Sequence, residues 1–144
     1  MIRASAPILT KVGVFLFGGN IMGNNFVKTT RLFSAEAIVA SGSSTSSAID
    51  LRNIAQNGYF SIQLAVTGDG TAKVEYQCSN NNSVFMEPES AVDIISGFTK
   101  TSGPGGDGKG FYSFSPETCG WLKIKASETG GSKAIAVTLD IAIQ

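Results

Sequence analysis

The sequence contains no histidine at all, and charged residues make up only 15% of it. Without histidine, the usual general base of serine and cysteine nucleophiles is missing. Zinc loses its commonest nitrogen ligand, and the two cysteines, Cys78 and Cys119, do not stand at ligand spacing. A single cysteine pair is also too little for a disulfide framework. Cys78 falls on the inward side of a strand pattern, so it reads as a buried free thiol. Long apolar runs are absent too. The nearest, Val12 to Phe17, ends at Gly18 and Gly19, far short of the ~20 residues of a membrane-spanning helix. It is also too short for the apolar region of a signal peptide, and no small-residue cleavage site follows, so export by that route is not expected.

What is present is glycine, at 17 residues, with abundant serine, threonine and asparagine and 42% hydrophobic residues in a chain of 144. That length suits one domain, which can bury a core without disulfide or metal. Low charge and many turn formers fit a small turn-rich β-protein. They equally fit a surface partly covered by partners.

Net charge is zero but unevenly spread: residues 1–32 carry +4 with no acid, and residues 33–144 carry −4. The leading segment is apolar yet interrupted. Val12, Val14, Phe15, Leu16 and Phe17 are cut by glycines, and Ile21, Met22 and Phe26 are separated by asparagines. It is too apolar for a free disordered tail and too broken for a core helix. One reading is an N-terminal arm, residues 1–32, that grips an acidic neighbour or an identical subunit. Its contact residues would be those eight together with Lys28 and Arg31. The other reading is an ordinary edge strand with loops.

From residue 33 onward the hydrophobic period is two. Phe60, Ile62, Leu64 and Val66 alternate with Tyr59, Ser61, Gln63 and Ala65. Val74, Tyr76 and Cys78 alternate with Lys73, Glu75, Gln77 and Ser79. Leu122, Ile124 and Ala126 alternate with lysines, and Ile135 to Ile143 keeps the period for nine residues. Weaker strands are expected near 33–39, 46–52, 91–97 and 110–115, with 88–95 readable as helix or strand. Asp69-Gly70 predicts a hairpin between strands 59–66 and 71–79. About eight strands with regular turns make an all-β antiparallel sandwich or a jelly-roll-like fold over residues 33–144.

Motifs for chemistry are weak. The glycines from Gly103 to Gly110 match phosphate-binding spacings, but Phe111-Tyr112-Ser113-Phe114 follows as a strand where a helix N-terminus is required. That stretch reads as a flexible hairpin loop. Asp69 and Asp107 lack the clustered oxygens calcium needs. A carboxylate pair such as Glu75 with Glu128 could be named for glycosidase work, but any two acids could. Asn81-Asn82-Ser83 matches a glycosylation acceptor, a common accident in an asparagine-rich loop. The sequence therefore predicts no enzyme, no catalytic residue, no metal and no cofactor. Nucleic acid is not expected beside a net-acidic body, and no membrane partner is expected. Tyr59 and Trp121 fall out of phase with the inward residues, so they could stack on a glycan or anchor an interface, or be covered locally.

Two stretches carry a resemblance: Phe60 to Ser79, and Phe111 to Pro116 with Trp121 to Lys125 and Glu128-Thr129 to the end. They resemble small β-sandwich structural proteins of tailed bacteriophages, including capsid decoration (cement) and fibre-associated proteins. The resemblance implies a non-enzymatic virion component, a homo-oligomer bound to capsid or other virion proteins through terminal arms. It fixes no functional residue. The alternative is a carbohydrate- or host-receptor-binding module of a phage tail or fibre.

Overall fold

The computed structural model describes residues 27–54, 57–90 and 93–144. These residues are all-β, with no helix among them. The strands are β1 (Lys28–Ile38), β2 (Ser43–Thr45), β3 (Ile49–Asp50), β4 (Phe60–Gly68), β5 (Ala72–Ser79), β6 (Ile95–Phe98), β7 (Lys109–Phe114), β8 (Trp121–Glu128) and β9 (Ile135–Ile143). The first sheet has the order β1-β9-β4-β7. The second has the order β2-β8-β5-β6, with β3 also on β8. All pairings are antiparallel.

β2 and β3 lie end to end along β8, and Ser46 bridges the gap between them. Its N–H donates to Ile124 O at 2.8 Å, and its Oγ accepts from Ile124 N at 3.0 Å. Counted as one interrupted strand, they make the jelly roll of eight that the sequence predicts.

Alternation places the core where it was expected. Ile62, Leu64, Leu122, Ile124, Val137, Leu139 and Ile141 are buried between the sheets. β4 and β9 pair over nine residues, from Phe60↔Ile143 to Gly68↔Ile135, so one strong ladder centres the first sheet. Truncating a residue such as Leu139 to alanine removes about 2–5 kcal/mol of stability.

The structure corrects several expectations. β4 and β5 are not a hairpin: they belong to opposite sheets, and 69–71 is a crossing between them. Both edges of β4 are taken by β9 and β7, and both edges of β5 by β8 and β6. The turn chemistry was real but its partner was not. Gly68 adopts φ 94°, and a Cβ there would lie 2.6 Å from Ala134 O, so glycine is needed to let the chain leave the sheet. The glycine stretch 103–110 is likewise a crossing, from β6 to β7, and not a flexible hairpin loop. Gly108 N donates to Ser102 O at 2.9 Å and Val66 N to Gly108 O at 2.8 Å, fixing it to β4.

The first strand begins at Lys28, earlier than residue 33, because the long β9 offers an edge as far as Ile143. Of the strand expected at 46–52 only β3, Ile49–Asp50, forms, with β2 before it at Ser43–Thr45, and the one expected at 91–97 is β6, from Ile95.

Glu75 and Ser79, on the side of β5 expected to be wet, are buried. The segment after β5 folds back beside it: Cys78 and Met86 exchange backbone hydrogen bonds at 2.9 and 3.0 Å, and Ile94 N donates to Val74 O. Cys78 itself is a free thiol and only half-buried.

Candidate interaction surface

Alternation turns the remaining side chains outward, and the two outer faces differ. Along β4, β9 and β7 the outward residues are Ser61, Gln63, Ala65 and Thr67, then Ala136, Thr138, Asp140 and Ala142, then Lys109, Phe111 and Ser113. Asp140 and Lys109 are the charges among them. Asp140 is held by Arg31 of β1 through two hydrogen bonds of 2.7 and 2.8 Å. Those bonds hold the Asp140 carboxyl below its ordinary range and push the Arg31 guanidinium up. Lys109 lies 3.4 Å from Asp107, so the first sheet presents mostly small uncharged side chains, with Phe111, around two ion pairs.

Among the described residues, the two most exposed aromatic rings stand on this face. Tyr59 is 69% exposed and Phe111 66%. They line one cleft of about 240 Å³ with Ser61, Ser113, Ala142 and Val27, the residue at which the described chain begins. Backbone hydrogen bonds between Tyr59 and Gln144 fasten the start of β4 to the end of the chain, which fixes the Tyr59 position. Phe111 was missed as a candidate. Its signal was available: in Phe111-Tyr112-Ser113-Phe114, Tyr112 and Phe114 pack against the core, which leaves Phe111 outward.

The second sheet's outer face is charged, with Lys73, Glu75, Lys123 and Lys125. Lys73 and Lys125 reach the Glu75 carboxylate at 3.3 and 3.6 Å, and Lys73 reaches Asp93 at 3.5 Å. Burial pushes the Glu75 carboxyl up, but a hydrogen bond with Glu87 and the two lysines outweigh it, so it titrates below its ordinary value. Glu87, bonded to that carboxylate, is pushed up. Oxygens of Glu75, Glu87 and Asp93 lie within 4.8 Å of one another. Lys73 and Lys125 already pair with this cluster, so it reads as an ion-pair network.

Trp121, the other aromatic candidate, is on this second sheet, half-buried. The Arg52 guanidinium lies over its ring at 4.5 Å, steered there by Asp50 at 2.7 Å. Tyr59 and Trp121 therefore sit on opposite outer faces and do not form one site. Lys28 and Arg31 lie on β1, at the border of the first face. Val12, Val14, Phe15, Leu16, Phe17, Ile21, Met22 and Phe26 lie outside the described residues.

One acid has a role that sequence reasoning did not assign. Glu128 is 3% exposed, and its carboxylate accepts four backbone N–H groups. Oε1 takes Thr71 N at 3.0 Å and Gly130 N at 2.7 Å, while Oε2 takes Ser41 N and Gly131 N at 2.9 Å. These bonds hold its pKa at about 2, against an ordinary 4.5. The donors come from three separate crossings between the sheets. Glu128 and Glu75 point to opposite sides of the second sheet, so the pair named for acid–base work is not one.

No family model and no curated protein matches the chain. Its fold is similar to those of solved structures that include the following three. The mitogen derived from Yersinia pseudotuberculosis is 10% identical over 83% of this chain and 86% of that one, with TM-score 0.43. The SPBc2 prophage-derived protein YomS is 13% identical over 81% and 95%, with TM-score 0.40. The structure of infectious bursal disease virus, Gx strain, is 10% identical over 83% and 32%, with TM-score 0.41. These likenesses are of fold alone.

Proposed function

We propose that this protein is a non-enzymatic virion structural component, of the capsid decoration or cement kind, that assembles through the first sheet's outer face and its leading segment. The observation that carries the assembly reading is the Tyr59–Phe111 cleft. Two large exposed rings stand on a nearly uncharged face, where the described chain begins at Val27. Rings of this kind are frequent binding hot spots, because they carry large apolar area at little entropic cost. The residues just before Val27 include Ile21, Met22 and Phe26 of the leading segment, and Lys28 and Arg31 follow it. An identical subunit, or another virion protein, would bury them together with this face. The virion context rests on the sequence resemblance described above.

Sedimentation velocity on the full chain tests the assembly. A concentration-dependent oligomer that dissociates in Tyr59→Ser/Phe111→Ser supports it. A strict monomer at micromolar concentration, identical in the variant, removes it. Antibody detection in gradient-purified particles tests the virion context, and absence from them removes that part alone.

The same two rings allow a second reading, a glycan-binding module. Tyr59 and Phe111 could stack on a sugar while Ser61 and Ser113 supply hydroxyls. Glycan-array binding lost in Phe111→Ser, with the solution size unchanged, would favour it.

A further inference from the structure

We infer that Cys78 and Cys119 form a thiol–disulfide exchange site, at which a small disulfide such as oxidised glutathione converts the pair into an internal cross-link. The two residues are far apart in sequence, yet the fold sets both on the wall of one cleft, with Cys78 Sγ 3.9 Å from the carbonyl oxygen of Glu117, two residues before Cys119. Each backbone is fixed independently. Cys78 sits in the β5–β8 ladder opposite Leu122 and is also clamped to Met86. Cys119 lies in the connection 115–120. There, its neighbour Gly120 donates to Asn80 Oδ1 at 3.1 Å and accepts from Leu51 N at 2.9 Å. These bonds hold the backbone beside each thiol in place.

Both are also reachable. They are half-buried and line an open cleft of about 590 Å³, together with Met86, Pro88 and Glu117. Cysteines that only fill a core are sealed and inert, whereas exchange requires access to a sulfur. Two free thiols at the wall of one cleft have both the access and an internal partner.

The order of events follows from the surroundings. Burial, then the hydrogen bond with Cys119, pushes the Cys78 thiol up to about 12, so it stays protonated and attacks poorly. Its Sγ lies 3.9 Å from Glu117 O, to which it donates. The first attack therefore falls to Cys119. Its thiolate joins one glutathione sulfur and releases the other half as a thiolate, which takes up a proton. The Cys78 sulfur then attacks Cys119 Sγ, and the second glutathione leaves with the Cys78 proton. Two protein thiols are oxidised and one glutathione disulfide is reduced to two thiols. The product ties the end of β5 to the connection before β8, fixing two walls of the cleft together.

The test uses the full reduced chain, oxidised glutathione, quenching with an alkylating agent, and peptide mapping. The expected result is an intramolecular Cys78–Cys119 link, a mass lower by two hydrogens, and reversal by dithiothreitol. Closing a loop of several tens of residues should raise Tm by roughly 5–10 °C. In Cys78→Ser, the glutathione adduct should persist on Cys119. Two alkylatable thiols left in the wild-type chain would overturn the inference. So would an adduct that never resolves, or a link between two chains. The wild-type map decides the matter even where Cys78→Ser does not fold.

Discussion

The two ends of the sandwich are built on opposite principles. At one end the connections 39–42, 69–71, 99–108 and 129–134 cross between the sheets, and each is tied down. Glu128 binds N–H groups of three of them. The fourth is joined through Lys100 to Asp69 at 2.6 Å. At the other end lie the connections around 51–59, 80–94 and 115–120, the paired cysteines with their cleft, and exposed Tyr59. β1 also starts there, opposite Ile143. At the first end a buried carboxylate ties the crossings together, while at the second an exposed ring and two free thiols stand open beside more local polar bonds. A jelly roll whose sheets are locked together at one end can leave the other available to a partner.

The largest effect should come from breaking the lock. Glu128→Gln keeps the shape but turns an amide NH₂ toward two backbone N–H donors, leaving them buried without acceptors. Melting should show Tm lower on the order of 10 °C. The pH dependence follows from the same carboxylate. Its folded pKa, about 2, lies below the ordinary 4.5. Its stabilisation is therefore complete above about pH 4.5 and is lost as pH falls toward 2. An acid titration of stability should lose that limb in Glu128→Gln. If both proteins respond to acid alike, Glu128 is not the lock.

Next in size is the fourth crossing. Gly103 has φ 92°, and a Cβ there would lie 1.9 Å from Lys109 O. Gly103→Ala should cost about 1–3 kcal/mol in denaturant melts. Gly58 is the matched control at the open end: its φ is 72° with nothing within 4 Å of an added Cβ. Gly58→Ala should cost less, since only the backbone conformation opposes it. Equal losses would mean that the two ends are held with equal rigidity.

At the open end, stability and association should separate. Tyr59→Ser or Phe111→Ser should leave Tm within about 2 °C, because both rings face solvent, while weakening association roughly tenfold or more. A large Tm loss in either would show that the ring supports its own subunit instead of a partner.

How much of this was legible in the sequence depends on what each pattern can encode. Two-residue alternation in β4, β5, β8 and β9 gave the strands and most of the core, because each has one face that must be dry. Alternation states which way a side chain points, not which strand lies alongside. Asp69-Gly70 therefore looked like a hairpin, when long-range pairing with β9 and β8 had already claimed the neighbouring edges. Glu128 continues the inward phase of Leu122, Ile124 and Ala126. An acid at a core position was a readable sign of a buried carboxylate, although its four donors were not readable. Glu75 is out of phase and still buried, because a later segment returns over it, which no local window contains. The nearness of Cys78 and Cys119 is of the same long-range kind. The leading-segment residues Val12 to Phe26 lie outside the described part of the fold.

The smallest expected effect concerns the pair at the middle of the first face. Arg31 and Asp140 are bonded twice, but Arg31 is more than half exposed, so water screens their attraction. Arg31→Ala, Asp140→Ala and the double variant should each move Tm by no more than roughly 2 °C. The hydrogen bonds from Arg31 hold the Asp140 carboxyl below its ordinary value, so any contribution is present near neutral pH and fades as acid protonates it. The purpose of the pair is better sought in what it removes from the face. With Asp140 neutralised, a partner can cover Ala142, Ser61 and Phe111 without facing an unpaired charge. Association of the wild-type chain should then be nearly independent of added salt. In Arg31→Ala it should weaken several-fold, because covering the face would strand the carboxylate. Wild-type association that falls steeply with salt would point instead to the charged second sheet as the surface in use.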